Sequence, residues 1–187
     1  MPRHWRRLVP LTALIACALP RAGASAAPLL TPEVPIRPVD ERVDPAAKAA
    51  TARKIAERAL AEWTQAREVD GVVRTVTAQI GDGYAWGAGG PDAFDCSGLT
   101  AYVYARAADI ALPHSSQGQA ALGHPVKRDD IRPGDLVFFS TAGDGASHVG
   151  IATGKRTVVS ATNAGVIEHA SDDAYWGAHY VSARRLL

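Results

Sequence analysis

Phe94-Asp95-Cys96-Ser97-Gly98-Leu99 joins a glycine-rich loop to a run of helix formers that continues to Ala108. Asp95 is a good N-cap, which places Cys96 in the first turn of that helix. The helix dipole and the unpaired backbone N–H groups there favour an anion, so the thiolate form is stabilised. The same N–H groups are ready donors for the oxyanion formed when a thiolate attacks a carbonyl. A structural cysteine more often sits in mid-helix on an apolar face. The preceding loop carries Gly81, Gly83, Gly87, Gly89 and Gly90, and no Gly-Lys-Ser/Thr closes it, so it is not a phosphate loop.

A nucleophilic thiol needs a base. Six histidines are available: His4, His114, His124, His148, His169 and His179. His124 and His179 lie in polar, loop-like settings. His148 opens the strand-like run His148-Val149-Gly150-Ile151-Ala152, where strand geometry holds a ring rigidly. Downstream of a Pro133-Gly134 turn the chain is a series of short β-rich runs at 135–140, 148–153, 157–162, 166–169 and 180–187.

Upstream, Ala46 to Val69 reads as a helix, with Asp44 as N-cap, Pro45 at the first helical position and Asp70-Gly71 as its end. Ala52, Ala56, Ala59, Trp63 and Ala66 form a thin stripe at helical spacing, flanked by Ile55 and Leu60, that suits packing on a neighbouring domain. Val72 to Ile80 gives a second, shorter helix. Helices first and a strand meander afterwards is an α+β pattern.

The 187 residues are 47% hydrophobic and 21% charged, a globular composition. The formal charge is +1 and no basic tract exceeds a pair, so a nucleic-acid partner is not expected. No apolar run approaches the ~20 residues of a transmembrane helix. Arg3, Arg6 and Arg7, the apolar stretch Leu8 to Leu19 and the Ala24-Ser25-Ala26 site form a secretory signal peptide over residues 1–26. Leu14-Ile15-Ala16-Cys17 is the rival signal, a lipobox with a lipid anchor on Cys17. Cleavage after Ala26 leaves Cys96 as the only cysteine. A proline-dense linker follows over 27–45, then a helix over 46–70 and a catalytic domain over 71–187. No His-Glu-x-x-His or paired ligand spacing occurs, so neither a metal nor another cofactor is expected.

Five motifs then occur in order: Tyr84-Ala85-Trp86-Gly87, Phe94 to Leu99, Leu112-Pro113-His114-Ser115-Ser116-Gln117, Pro133-Gly134-Asp135-Leu136-Val137-Phe138-Phe139, and His148-Val149-Gly150-Ile151. Together with the closing Tyr175-Trp176 and Tyr180 to Arg185, they resemble the NlpC family of bacterial cell-wall cysteine peptidases. The resemblance runs from about Val72 to the C-terminus. It implies a reduced papain-like fold, with Cys96 as nucleophile, His148 as base and the Tyr84 hydroxyl near the reacting carbonyl. It implies that Asp95 receives the substrate's amine in members that need a free N-terminus. Ser97 and Ser116 would hold a D-glutamyl carboxylate; an extra residue before Leu112 leaves Ser115 and Ser116 as alternatives.

The family usually places a polar residue, most often histidine, twelve positions after the base. Here that position is Ser160. A tight connection between Thr153 and Thr157 would pair Gly150 with Ser160 and put Ser160 on the face of His148. A serine hydroxyl can orient an imidazole but brings no charge to stabilise imidazolium. Asn163 and His169 are the other candidates. The implied function is a secreted, periplasmic or envelope-bound bacterial peptidase that hydrolyses peptidoglycan stem peptides, between D-γ-glutamyl and a diamino acid, through an acyl-enzyme. The alternatives are an idle wall-binding or regulatory domain of the same fold and a secreted wall-degrading toxin.

Overall fold

The computed structural model describes residues 44–187. The expected signal peptide, the Cys17 lipobox and nearly all of the proline-rich linker lie outside the described residues.

Helix α1 spans Pro45–Thr77. Its start is as expected: Asp44 Oδ1 accepts the Ala46 N–H at 3.0 Å, with Pro45 in the first turn. Its end is not. Asp70-Gly71 does not stop the helix, and Val72 to Ile80 is not a separate element; one helix runs through to Thr77. The reason is its partner, α2 (Cys96–Ala108). A Cβ at Gly71 would lie 3.4 Å from the Ala107 carbonyl oxygen, so glycine serves close helix contact there. One turn on, Val72 and Val76 are completely buried. Burying two valines is worth several times the ~1 kcal/mol that glycine costs inside a helix. The N-terminal half of α1 is exposed, and its expected packing face has no partner among the described residues: Ile55 is 64%, Leu60 63% and Trp63 57% exposed.

Two short strands, β1 (Gly83–Tyr84) and β2 (Ala93–Phe94), pair in parallel ahead of α2. A short helix, α3 (Ser116–Ala120), and a strand, β3 (His124–Val126), follow. The expected β-rich runs form β4 (Leu136–Phe139), β5 (His148–Ala152), β6 (Thr157–Thr162), β7 (Gly165–Ala170) and β8 (Tyr180–Arg185). The antiparallel sheet has the order β3-β8-β4-β5-β6-β7.

Every residue of β4 and β5 is buried, so these two strands read as unbroken apolar runs. On one face Leu136, Phe138, Val149, Ile151 and Val159 pack with Leu99 and Val103 of α2 and Val72 and Val76 of α1. On the other, Val137, Phe139, Ala152 and Val158 pack with Ala183, with Trp176 and Tyr180 at the edge. The class is α+β, as the sequence implies. Buried Asp135 locks the Pro133-Gly134 turn to the last strand: it accepts the Arg132 N–H at 2.8 Å and pairs with Arg185 at 2.7 Å.

Candidate active site

Pairing of Tyr84 with Phe94 sets the Tyr84 side chain beside the chain that enters α2. Asp95 is extended and caps the helix: its Oδ1 accepts the Gly98 N–H at 2.7 Å, and its carbonyl accepts the Leu99 N–H at 2.9 Å. The N–H groups of Cys96 and Ser97 are left over, and both stabilise the Cys96 thiolate, as does the Val149 N–H on β5. The thiol therefore lies against the start of β5, next to His148.

Its titration differs from the expectation. Burial pushes the Cys96 thiol up, outweighing the Val149 N–H, and the charge of Asp95 adds to the rise. The residue that caps the helix also places a carboxylate beside the thiol, so the dipole argument loses to burial and local charge. The resting group is a neutral thiol.

His148 is only 8% exposed. Its ring lies 6.2 Å from that of Phe139 and 5.3 Å from that of Trp176. Burial pushes its pKa down to about 4, and nearby His169 adds to the effect. Its Nε2 is buried and has no hydrogen-bond partner among the described residues.

The β5–β6 register pairs Ile151 with Val159, which carries Gly150 to Ser160 and puts Ser160 on the His148 face as expected. The hydroxyl, however, bonds His169 rather than His148. Ser160 Oγ lies 2.9 Å from His169 Nε2, and His169 Nδ1 lies 3.1 Å from the Ala170 carbonyl oxygen. A carbonyl only accepts, so Nδ1 carries the hydrogen, Nε2 accepts, and Ser160 donates. His169 is held by stacking on Trp176, with ring centroids 3.7 Å apart and planes at 15°. Two of the three candidates for the orienting group thus form one hydrogen-bonded unit. Asn163 stands apart in the exposed β6–β7 turn. It lines a recess of about 370 Å³ together with Tyr84, His148, Tyr175 and Trp176.

A second recess of about 420 Å³ opens on the other side of the thiol, bounded by Trp86, Asp95, Cys96, Ser97, His114 and both Ser115 and Ser116. Ser115 caps α3, its Oγ accepting the Gly118 N–H at 3.2 Å, while Ser116 is the buried first residue of that helix. Two contacts here escape a reading of the sequence. Gln119 is completely buried and donates to the Ser97 and Pro113 carbonyls at 3.0 and 2.8 Å while accepting from Thr100 Oγ1 at 2.7 Å. It clamps the α3 segment to α2; its only sequence signal is a polar residue in a short helix. His114 reaches Asp95 Oδ1 at 2.8 Å, although it stands in a quoted motif with no assigned role.

The model of the NlpC/P60 family matches residues 81–185, more than half of the chain. The protein belongs to the NlpC/P60 family. A probable endopeptidase of Corynebacterium glutamicum is 45% identical over 103 residues, covering 54% of this chain and 47% of that protein. The probable endopeptidase p60 of Listeria monocytogenes is 38% identical over 115 residues, covering 62% of this chain and 23% of p60. The chain thus spans less than half the length of these relatives. Among solved structures, an NlpC/P60 family protein from Bacillus cereus matches at a TM-score of 0.58 and 28% identity, covering 63% of this chain and 39% of that one. The NlpC/p60 domain of the peptidoglycan hydrolase SagA matches at 0.56 and 26%, covering 63% of this chain and 98% of that domain. These likenesses place this NlpC/P60 chain in the papain-like α+β fold.

Proposed function

We propose that the chain is a cysteine endopeptidase that hydrolyses peptidoglycan stem peptides at the bond between D-γ-glutamyl and a diamino acid, acting outside the cytoplasm of a bacterium after export by the 1–26 signal. The observation that carries this reading is the Cys96 thiol at the start of α2, lodged against the Val149 N–H beside His148.

With Nε2 buried, the free nitrogen of His148 is Nδ1. It takes the thiol proton as Sγ attacks the glutamyl carbonyl carbon. The carbonyl oxygen becomes an oxyanion held by the spare N–H groups of Cys96 and Ser97, with the Tyr84 hydroxyl alongside. The C–N bond breaks, His148 returns the proton to the leaving amine, and a thioester remains. Water, losing its proton to His148, opens the thioester and frees the carboxyl product and the thiol. Neutral resting partners suit this sequence, because charge then appears only as the reaction proceeds.

Ser160 is the orienting residue in this reading. Its hydrogen is committed to His169, so its lone pairs are those able to accept the His148 Nε2–H, a bond that closes in the substrate complex. Ser97 and Ser116, with Ser115 beside them, hold the D-glutamyl carboxylate in the recess they line. The unpartnered Nε2 also fits a second reading, an idle wall-binding domain. Digestion of purified peptidoglycan separates the two. Mass spectrometry of the soluble fragments should show new glutamyl C-termini with the wild type and none with Cys96→Ala; no cleavage by the wild type would overturn the peptidase reading.

A further inference from the structure

We infer that His114 fills the Asp95 position that would hold a substrate ammonium group, and that the recess selects stem peptides whose N-terminal amine is acylated, as in intact wall, over free stem peptides. The inference rests on the peptidase reading for its substrate and on the geometry of Asp95 for its selectivity.

A carboxylate offers about four lone-pair sites. Asp95 has four donors on them: the Gly98 N–H at 2.7 Å, His114 Nε2 at 2.8 Å and Ser97 Oγ at 3.1 Å on Oδ1, and the Gly87 N–H at 2.9 Å on Oδ2. The side chain is 6% exposed, so no face of the carboxylate is left over for solvent or ligand. Gly98 makes room for this arrangement, since a Cβ there would fall 2.9 Å from His114 Nε2 and 2.1 Å from the Ala88 carbonyl oxygen. Burial alone would raise the Asp95 carboxyl, but the Gly98 N–H, His114 and the Gly87 N–H outweigh it and hold it below its usual range.

An ammonium entering this recess would have to displace a donor from Asp95 or stay unpaired in a half-enclosed site, and an unpaired desolvated charge is expensive. An acylated amine is a neutral amide and makes no such demand. Three of the four donors are fixed in the backbone or belong to the α2 cap. His114, whose side chain is 41% exposed on the recess wall, is the removable one.

The test compares one stem peptide in two forms, with a free and with an acetylated N-terminal amine, by kcat/KM and by calorimetric binding to Cys96→Ala. The wild type should favour the acetylated form by roughly tenfold or more, the scale of one charge-assisted hydrogen bond. His114→Ala should lower that ratio by roughly tenfold, while His114→Gln, which keeps a donor, should hold it within about threefold. Equal or better cleavage of the free-amine form by the wild type overturns the inference while leaving the peptidase reading intact. If neither form is cleaved but Cys96→Ala binds the acetylated one more tightly, the peptidase reading fails and the selectivity stands. If neither is cleaved nor selectively bound, both fall.

Discussion

The two sides of the thiol are built on opposite terms. On the α2 side every polar group is used: Asp95 has four donors, and Gln119 ties two carbonyls and a hydroxyl across the α3 segment. On the sheet side His148 sits among aromatic rings with Nε2 unpartnered, and the nearest polar candidate, Ser160, gives its hydrogen to His169. A saturated network holds a rigid shape, which suits a surface that must recognise a substrate. An unsatisfied, buried imidazole is kept neutral and ready to accept a proton, which suits a base. The difference teaches that binding and proton transfer, though only a residue apart at Asp95 and Cys96, are served by different physics.

The largest expected effects test the sheet side. Cys96→Ala and His148→Ala should each lower kcat/KM by about a thousandfold or more, and the double variant should be hardly worse, because both act in one covalent step. Additive losses would mean that the two groups work separately, and the proposed pairing would fail.

Next in size is a stability effect. Folding moves His148 from its ordinary pKa of 6.5 down to about 4. Between those values the unfolded chain holds the proton and the folded chain does not. The contribution is therefore complete above pH 6.5 and is lost as pH falls towards 4. The window corresponds to about 3 kcal/mol at most. Denaturant unfolding of the wild type and of His148→Gln from pH 7 to pH 4 isolates it: the wild type should lose stability faster by an amount of that order. Parallel curves would show that the buried neutral imidazole is not the source.

Most of the fold is legible in the sequence because its signals are local: the cap at Asp95, the turn at Pro133-Gly134 and the strand runs that became β4 to β8. The β5–β6 register was also readable, since a tight connection leaves few pairings. What was not legible depends on residues distant in the chain. The helix-ending signal at Asp70-Gly71 yields to contact with Ala107 and the burial of Val72 and Val76. Strand β3 exists by pairing with β8, as His124 with Arg185. The raised thiol pKa reflects burial under the sheet, and the bond from Ser160 to His169 depends on where Trp176 places its ring. The family resemblance marks the position of Ser160 but not its partner.

The smallest expected effects decide how His148 is oriented. A neutral hydroxyl acting as one hydrogen-bond acceptor is worth about 0.5–1.5 kcal/mol, so Ser160→Ala should lower kcat between about twofold and tenfold. His169→Ala should lower it similarly, since it frees the Ser160 hydrogen that now fixes the direction of the lone pairs. The Ser160→Ala/His169→Ala double variant should then be no worse than either alone, as coupled members of one network are non-additive. Ser160→His should be tolerated, because it brings an imidazole directly to the β6 position. Asn163→Ala should change kcat by less than about twofold, for Asn163 lies in an exposed turn and makes no bond to His148. A large loss in Asn163→Ala beside a silent Ser160→Ala would move the orienting role to the turn. It would also mean that the β6–β7 hairpin rearranges when substrate binds, since the amide cannot serve His148 from where it now stands.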